Sequence, residues 1–104
     1  MYSFKVKIMS SCKEYLTSLE NSNYPKYNKL YNNLCKIIKD IKQDPFNHKF
    51  KKLKVSNELW RARFGNYRII YFVKDDTIFI SRIGLRKNVY KNGKGCEHLL
   101  KRIH

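Results

Sequence analysis

Acidic residues are scarce in this 104-residue chain: 8 Asp and Glu stand against 23 Lys and Arg, a formal charge of +15. A field of that sign repels basic partners and draws in nucleic acid, anionic surfaces or a strongly acidic protein. Cysteine is also sparse, and Cys12, Cys35 and Cys96 are odd in number, far apart and without a CxxC pair or nearby ligand histidines. That pattern argues against a disulfide framework and a structural zinc site, and leaves reduced thiols as the expectation. No apolar run approaches the length of a membrane span, and the opening MYSFKVK lacks the apolar block of a signal peptide. The expectation is a soluble cytoplasmic protein with no membrane contact. With 4 Gly and 2 Pro, no linker, repeat or low-complexity block divides the chain, so residues 1–104 read as one domain. What is present in quantity is apolar and aromatic side chain, 42% and 14% of the residues, enough for a folded core.

The organising stretch is WRARFGNYRIIY, Trp60 to Tyr71. Apolar and basic residues alternate on both sides of Gly65-Asn66, which predicts two antiparallel strands joined by a two-residue turn. Phe64 then faces Tyr67, Arg63 faces Arg68, Ala62 faces Ile69, Arg61 faces Ile70 and Trp60 faces Tyr71. Trp60, Ala62, Phe64, Tyr67, Ile69 and Tyr71 share a core face, and Arg61, Arg63 and Arg68 converge on the other. Like charges set opposite one another weaken a sheet, by about 0.2–1 kcal/mol per pair. One such arginine reads as a solvated surface residue. Three together read as a grip for a polyanion, because guanidinium forks match phosphate oxygens in geometry and charge.

The remaining elements follow in order. Tyr2, Phe4, Val6 and Ile8 alternate with polar residues and predict a first strand. Ser11-x-x-Glu14 has capping-box spacing and opens a short helix carrying Tyr15, Leu16 and Leu19. Pro25 begins a second helix, with Leu30, Leu34, Ile37, Ile38 and Ile41 on one side, which stops at Asp44-Pro45. Residues 46–58 show no pattern and read as a loop. After Tyr71 the strand runs through Val73, turns at Asp75-Asp76 and returns from Thr77 towards Ile83. Both of these strands are apolar on two faces, so they are expected to be central, with something covering the second face. Leu99, Leu100 and Ile103 predict a short helix or an arm at the C-terminus.

This order of pieces resembles the RelE/ParE toxins of bacterial type II toxin–antitoxin pairs. The resemblance covers most of the chain. It is carried by Asp44-Pro45-Phe46, the Lys51-Lys52-Leu53-Lys54 run, Arg63-x-Gly65-x-Tyr67-Arg68-x-x-Tyr71 and Gly84-x-Arg86-x-x-x-Tyr90. It implies a small α+β domain, two N-terminal helices on a twisted, mainly antiparallel sheet of about four strands. The RelE branch is similar to a ribonuclease that cuts mRNA in the ribosomal A site, and the ParE branch acts on DNA gyrase. Arg61, Arg63, Arg68, Arg86 and Tyr90, with Lys54 ahead of the hairpin, match the RelE set more fully.

RNA carries its own nucleophile, the 2′-hydroxyl, so an enzyme has only to orient it, stabilise charge on phosphorus and assist the departing 5′-oxygen. Neither a metal nor a cofactor is required. The resemblance thus implies Arg61, Arg68, Arg86 and Tyr90 as catalytic residues and Lys51, Lys52, Lys54, Arg63 and Lys87 as RNA-binding ones. Arginine cannot act as a base at neutral pH, whereas a tyrosine among cations is a better candidate. Tyr90 also reads as a packing anchor. Leu85 stands where many relatives have a histidine, so Lys52 or Lys54 is the next candidate base. Three functions stay open: ribosome-dependent mRNA endonuclease, gyrase inhibitor and non-catalytic RNA-binding module. Under the first two, the resemblance implies a cognate acidic antitoxin, and under the first also the ribosome and mRNA.

Overall fold

The computed structural model describes residues 3–53 and 58–89. Tyr2, Lys54, Tyr90, Cys96 and the C-terminal apolar positions lie outside them. The described chain runs β1 (Lys5–Ile8), α1 (Ser10–Glu20), α2 (Pro25–Gln43), β2 (Lys51–Lys52), β3 (Trp60–Phe64), β4 (Tyr67–Lys74), β5 (Thr77–Leu85) and the single turn α3 (Arg86–Val89). The architecture is α+β. The sheet has five strands in the order β1-β5-β4-β3-β2, one more than expected, with β1 parallel to β5 and every other pair antiparallel. The extra strand is β2, two lysines within the supposed loop, too short to show any alternation. No helix of the described residues is long and apolar enough to cross a membrane.

Two helices cover one sheet face because each presents a single apolar stripe. Cys12, Leu16 and Leu19 from α1, and Leu30, Leu34 and Ile41 from α2, pack on Ala62, Ile69, Tyr71, Ile78 and Ile80. Pro25 occupies the first turn of α2, and the helix ends with Asp44 in an extended conformation ahead of Pro45. The capping box is a correction. Helix α1 begins at Ser10 after Met9, with no side-chain cap, so Ser11 and Glu14 lie inside it. The chain passes straight from strand to helix, and the Met9 N–H donates to the Ile80 carbonyl of the sheet at 3.1 Å. At the other end of α1 a side chain from α2 does the capping: the Asn28 amide donates to the carbonyls of Leu19, Glu20 and Ser22 at 3.0–3.2 Å.

The second face is apolar over only part of its area. There Leu53, Leu59 and Val89 pack with Ile70, Phe72 and Phe79, and the Phe72 and Phe79 rings stack at 4.9 Å. The Leu53 N–H donates to the Leu59 carbonyl at 2.9 Å, and these two leucines with Val89 supply the cover that the two-sided strands require. The hairpin turn places Gly65 at φ 54°, a left-handed conformation that glycine adopts without a Cβ penalty.

Candidate nucleic-acid interface

The β3–β4 register matches the expected one at all five pairs, Trp60↔Tyr71 to Phe64↔Tyr67. Alternation therefore puts Arg61, Arg63 and Arg68 on the face away from the helices. Strand β2 adds Lys51 directly opposite Arg61. Two like-charged pairs, Lys51 with Arg61 and Arg63 with Arg68, thus lie side by side, each a local cost to the sheet. Among the described residues Lys51, Arg61, Arg63, Arg86 and Lys87 have no carboxylate partner; the ion pairs there are Lys5 with Asp76 and Lys49 with Asp40. Arg63, Arg86 and Lys87 are exposed and Arg61 is half-buried.

Arg86 reaches this region through the backbone. Its N–H donates to the Asn66 carbonyl at 2.6 Å, fastening the start of α3 to the hairpin turn. Asn66, Leu85, Arg86 and Lys87 line an open depression of about 450 Å³ beside that turn. Gly84 faces Arg68 across β4–β5, and a Cβ there would come within 3.2 Å of Val89, so α3 lies close over this end of β5. Asn66 was not foreseeable as part of the site, because it contributes a main-chain oxygen, to which its residue type is no guide.

Two expected site residues are placed differently from their neighbours. Lys52 pairs with Trp60 rather than Arg61, and its ammonium sits over the indole at 5.5 Å, on the helical side of the sheet. Adjacent strand residues point to opposite faces, so Lys51 and Lys52 cannot both join the arginines. Arg68 is on the right face but only 4% exposed. Its Nη1 donates to the Gly65 and Tyr67 carbonyls, both at 2.8 Å, and so holds the hairpin end closed. Lys54 and Tyr90 lie outside the described residues.

On the helical side, Tyr71 belongs to the core and Tyr15 packs against it. Tyr71 is fully buried and its hydroxyl donates to the Pro45 carbonyl at 2.7 Å, so burial drives its pKa strongly upward. Burial pushes the Tyr15 hydroxyl up to about 12, reinforced by the neighbouring Tyr67 phenol. The Cys12 thiol rises to about 11 for the same first reason, against smaller opposing contributions from Ser11, the Ile83 backbone and Arg82. All three groups hold their protons at neutral pH. Among the described residues no group of three His, Cys, Asp or Glu side chains gathers to hold a metal.

Residues 7–90 match the family described as the ParE toxin of type II toxin–antitoxin system, parDE. A Methanocaldococcus jannaschii protein bearing the toxin name RelE1 is 35% identical over 94 residues, spanning 86% of this chain and 97% of that one. The chain belongs to the RelE/ParE superfamily of toxins. In the archaeal RelE–RelB complex of Pyrococcus horikoshii, one chain aligns with this toxin at a TM-score of 0.62 and 27% identity, covering 81% of this chain and 96% of that one. The free, mutant RelE toxin of Escherichia coli shares the fold, with a TM-score of 0.64 and 15% identity over 98% of this chain and 99% of that one. The toxin's two longer helices on one sheet face and its cations on the other thus stand on a RelE scaffold.

Proposed function

We propose that this toxin is a ribosome-dependent mRNA endonuclease, in which the cationic sheet face grips the scissile phosphodiester. The observation that carries the reading is the set of Lys51, Arg61 and Arg63 on one face, without a carboxylate partner among the described residues, with Arg86 and Lys87 beside its hairpin turn. A fold gains nothing from opposed like charges, whereas a phosphate passing to a pentacoordinate state gains from every preorganised donor. Arg61 and Arg86 hold the non-bridging oxygens in this scheme. Arg63, Lys51 and Lys87 track the neighbouring phosphates. Arg68 stabilises the hairpin that presents them, and through it the reacting phosphate. Tyr90, four residues beyond Arg86, is the proposed general base, with Lys54 as the alternative. Lys52, turned to the Trp60 side, contributes through long-range charge alone. The 2′-hydroxyl attacks phosphorus, the bond to the 5′-oxygen breaks, and the products are a 2′,3′-cyclic phosphate and a 5′-hydroxyl.

An acidic antitoxin is the proposed partner, since +15 of net charge invites a complementary chain and the RelE chain of the Pyrococcus horikoshii structure is bound to RelB. The family match to ParE keeps one second reading, a gyrase inhibitor without nuclease chemistry. Inducible expression followed by mapping of transcript 5′ ends separates the two. New ends inside translated reading frames, lost when initiation is blocked, are expected. Intact mRNA with cleaved DNA trapped on gyrase would overturn the nuclease reading in favour of the second.

A further inference from the structure

The helical side of the hairpin carries a second feature that the phosphate grip does not use. Lys26, Tyr27, Lys29 and Leu30 at the start of α2, with Phe64 and Tyr67 at the hairpin end, line an open groove of about 400 Å³. None of the lining residues is acidic. Phe64, although on the core side of β3, is 36% exposed, Tyr27 is 37% exposed and Tyr24 on the lip is 64% exposed. The Lys26 ammonium lies 5.0 Å from the centre of the Tyr27 ring, and Tyr24 meets Tyr27 edge to face at 5.9 Å.

From this groove we infer a second RNA-contact surface, one that takes a single-stranded segment by stacking bases on Tyr27 and Phe64 and pairing its phosphates with Lys26 and Lys29. Exposed aromatic faces beside cations suit a strand whose every base offers a ring and whose every link carries a charge. An acidic amphipathic helix would meet the same lysines, but it needs open aliphatic surface. Here the solvent-facing apolar area belongs to aromatic rings, and the aliphatic Leu30 is itself buried. Phe64 and Tyr67 point to the opposite sheet face from Arg63 and Arg68, so the groove can bind whether or not the arginine face cleaves. The inference shares with the proposed function only the premise that RNA is the target.

The test is fluorescence anisotropy of a 5′-fluorescein U12 RNA with the full-length chain across a salt series, with circular dichroism and melting recorded for each variant. Lys26→Glu with Lys29→Glu is expected to weaken binding about tenfold or more and to flatten the dependence on salt. Tyr27→Ala and Phe64→Ala are each expected to weaken it about fivefold or more. Lys36→Glu with Lys39→Glu, equal in charge change but farther along α2, is the control and is expected to cost less than about threefold by long-range charge alone. Equal losses from the two lysine pairs, or RNA binding untouched in the groove variants while a Glu/Leu-rich peptide loses its binding to them, would overturn the inference. Cleavage of mRNA by the parent is scored in parallel. Normal cleavage with unchanged RNA affinity in the groove variants sinks the groove alone, and groove-dependent binding without cleavage sinks the nuclease alone.

Discussion

A toxin carrying Arg61→Ala and Arg86→Ala together is expected to lose at least about a hundredfold of its mRNA cleavage rate, and with it the growth arrest, while still folding. One preorganised donor aimed at developing charge is worth about 10²–10³ in rate, and two that hold the same phosphate act as a unit, so their losses do not simply multiply. The folded state should barely register the change. Neither side chain has a carboxylate partner among the described residues, and Arg61 is set against Lys51, so its removal relieves a repulsion. Surface substitutions of this kind shift stability by about 0.5 kcal/mol or less. Inducible growth curves, a ribosome-programmed cleavage assay and a thermal melt together check the three parts of the expectation. Equal loss of activity and melting temperature would point to a structural role for these arginines.

The largest expected effect on stability is at Tyr71. Its ring is fully buried, meets Phe50 edge to face at 6.0 Å, and carries a hydroxyl that spans the core to the Pro45 carbonyl. That bond ties the turn after α2 to the central strand, which makes one side chain a link between the helical layer and the sheet. Tyr71→Ala removes the ring and the donor together and should cost about 3–5 kcal/mol, a large share of the stability of a domain this size. Tyr71→Phe separates the two contributions. It keeps the packing, leaves a buried acceptor without its donor, and should cost about 1–2 kcal/mol, lowering the melting temperature by about 4–8 °C per kcal/mol. Denaturant unfolding of both variants measures the difference. A Phe variant as unstable as the Ala variant would mean that the hydroxyl, not the ring, holds the core.

The hairpin was legible because alternation from Trp60 to Phe64, resumed at Tyr67-Arg68-Ile69, fixes both pairing and face, and Gly65-Asn66 leaves a single economical turn. Helix α2 was legible for the matching reason, a long apolar stripe bounded by Pro25 and Pro45. Short and irregular features left no periodic trace. Strand β2 has two residues, α3 is one turn, and β5 slips by a residue opposite Ile70 and Tyr71, where Ser81 falls out of register and its hydroxyl donates to the Ile70 carbonyl. The site was readable in residue type and less so in placement. Composition could show that lysines precede the hairpin, but only the β2–β3 register shows that Lys51 joins the arginines while Lys52 covers Trp60. Likewise the alternation gave Arg68 its face without showing that its guanidinium is spent on the carbonyls of its own turn.

The central claim is that cations held on and beside one sheet face, working with a general base, drive attack by the 2′-hydroxyl of RNA on its neighbouring phosphate. The most direct measurement is the chemistry of the fragment ends released from mRNA on programmed ribosomes by the purified toxin. The account predicts 5′-hydroxyl ends that polynucleotide kinase labels without prior phosphatase, and upstream fragments that end in a 2′,3′-cyclic phosphate. Fragments with 5′-phosphate and free 3′-hydroxyl ends would require an attacking water in place of the 2′-hydroxyl, and would contradict it.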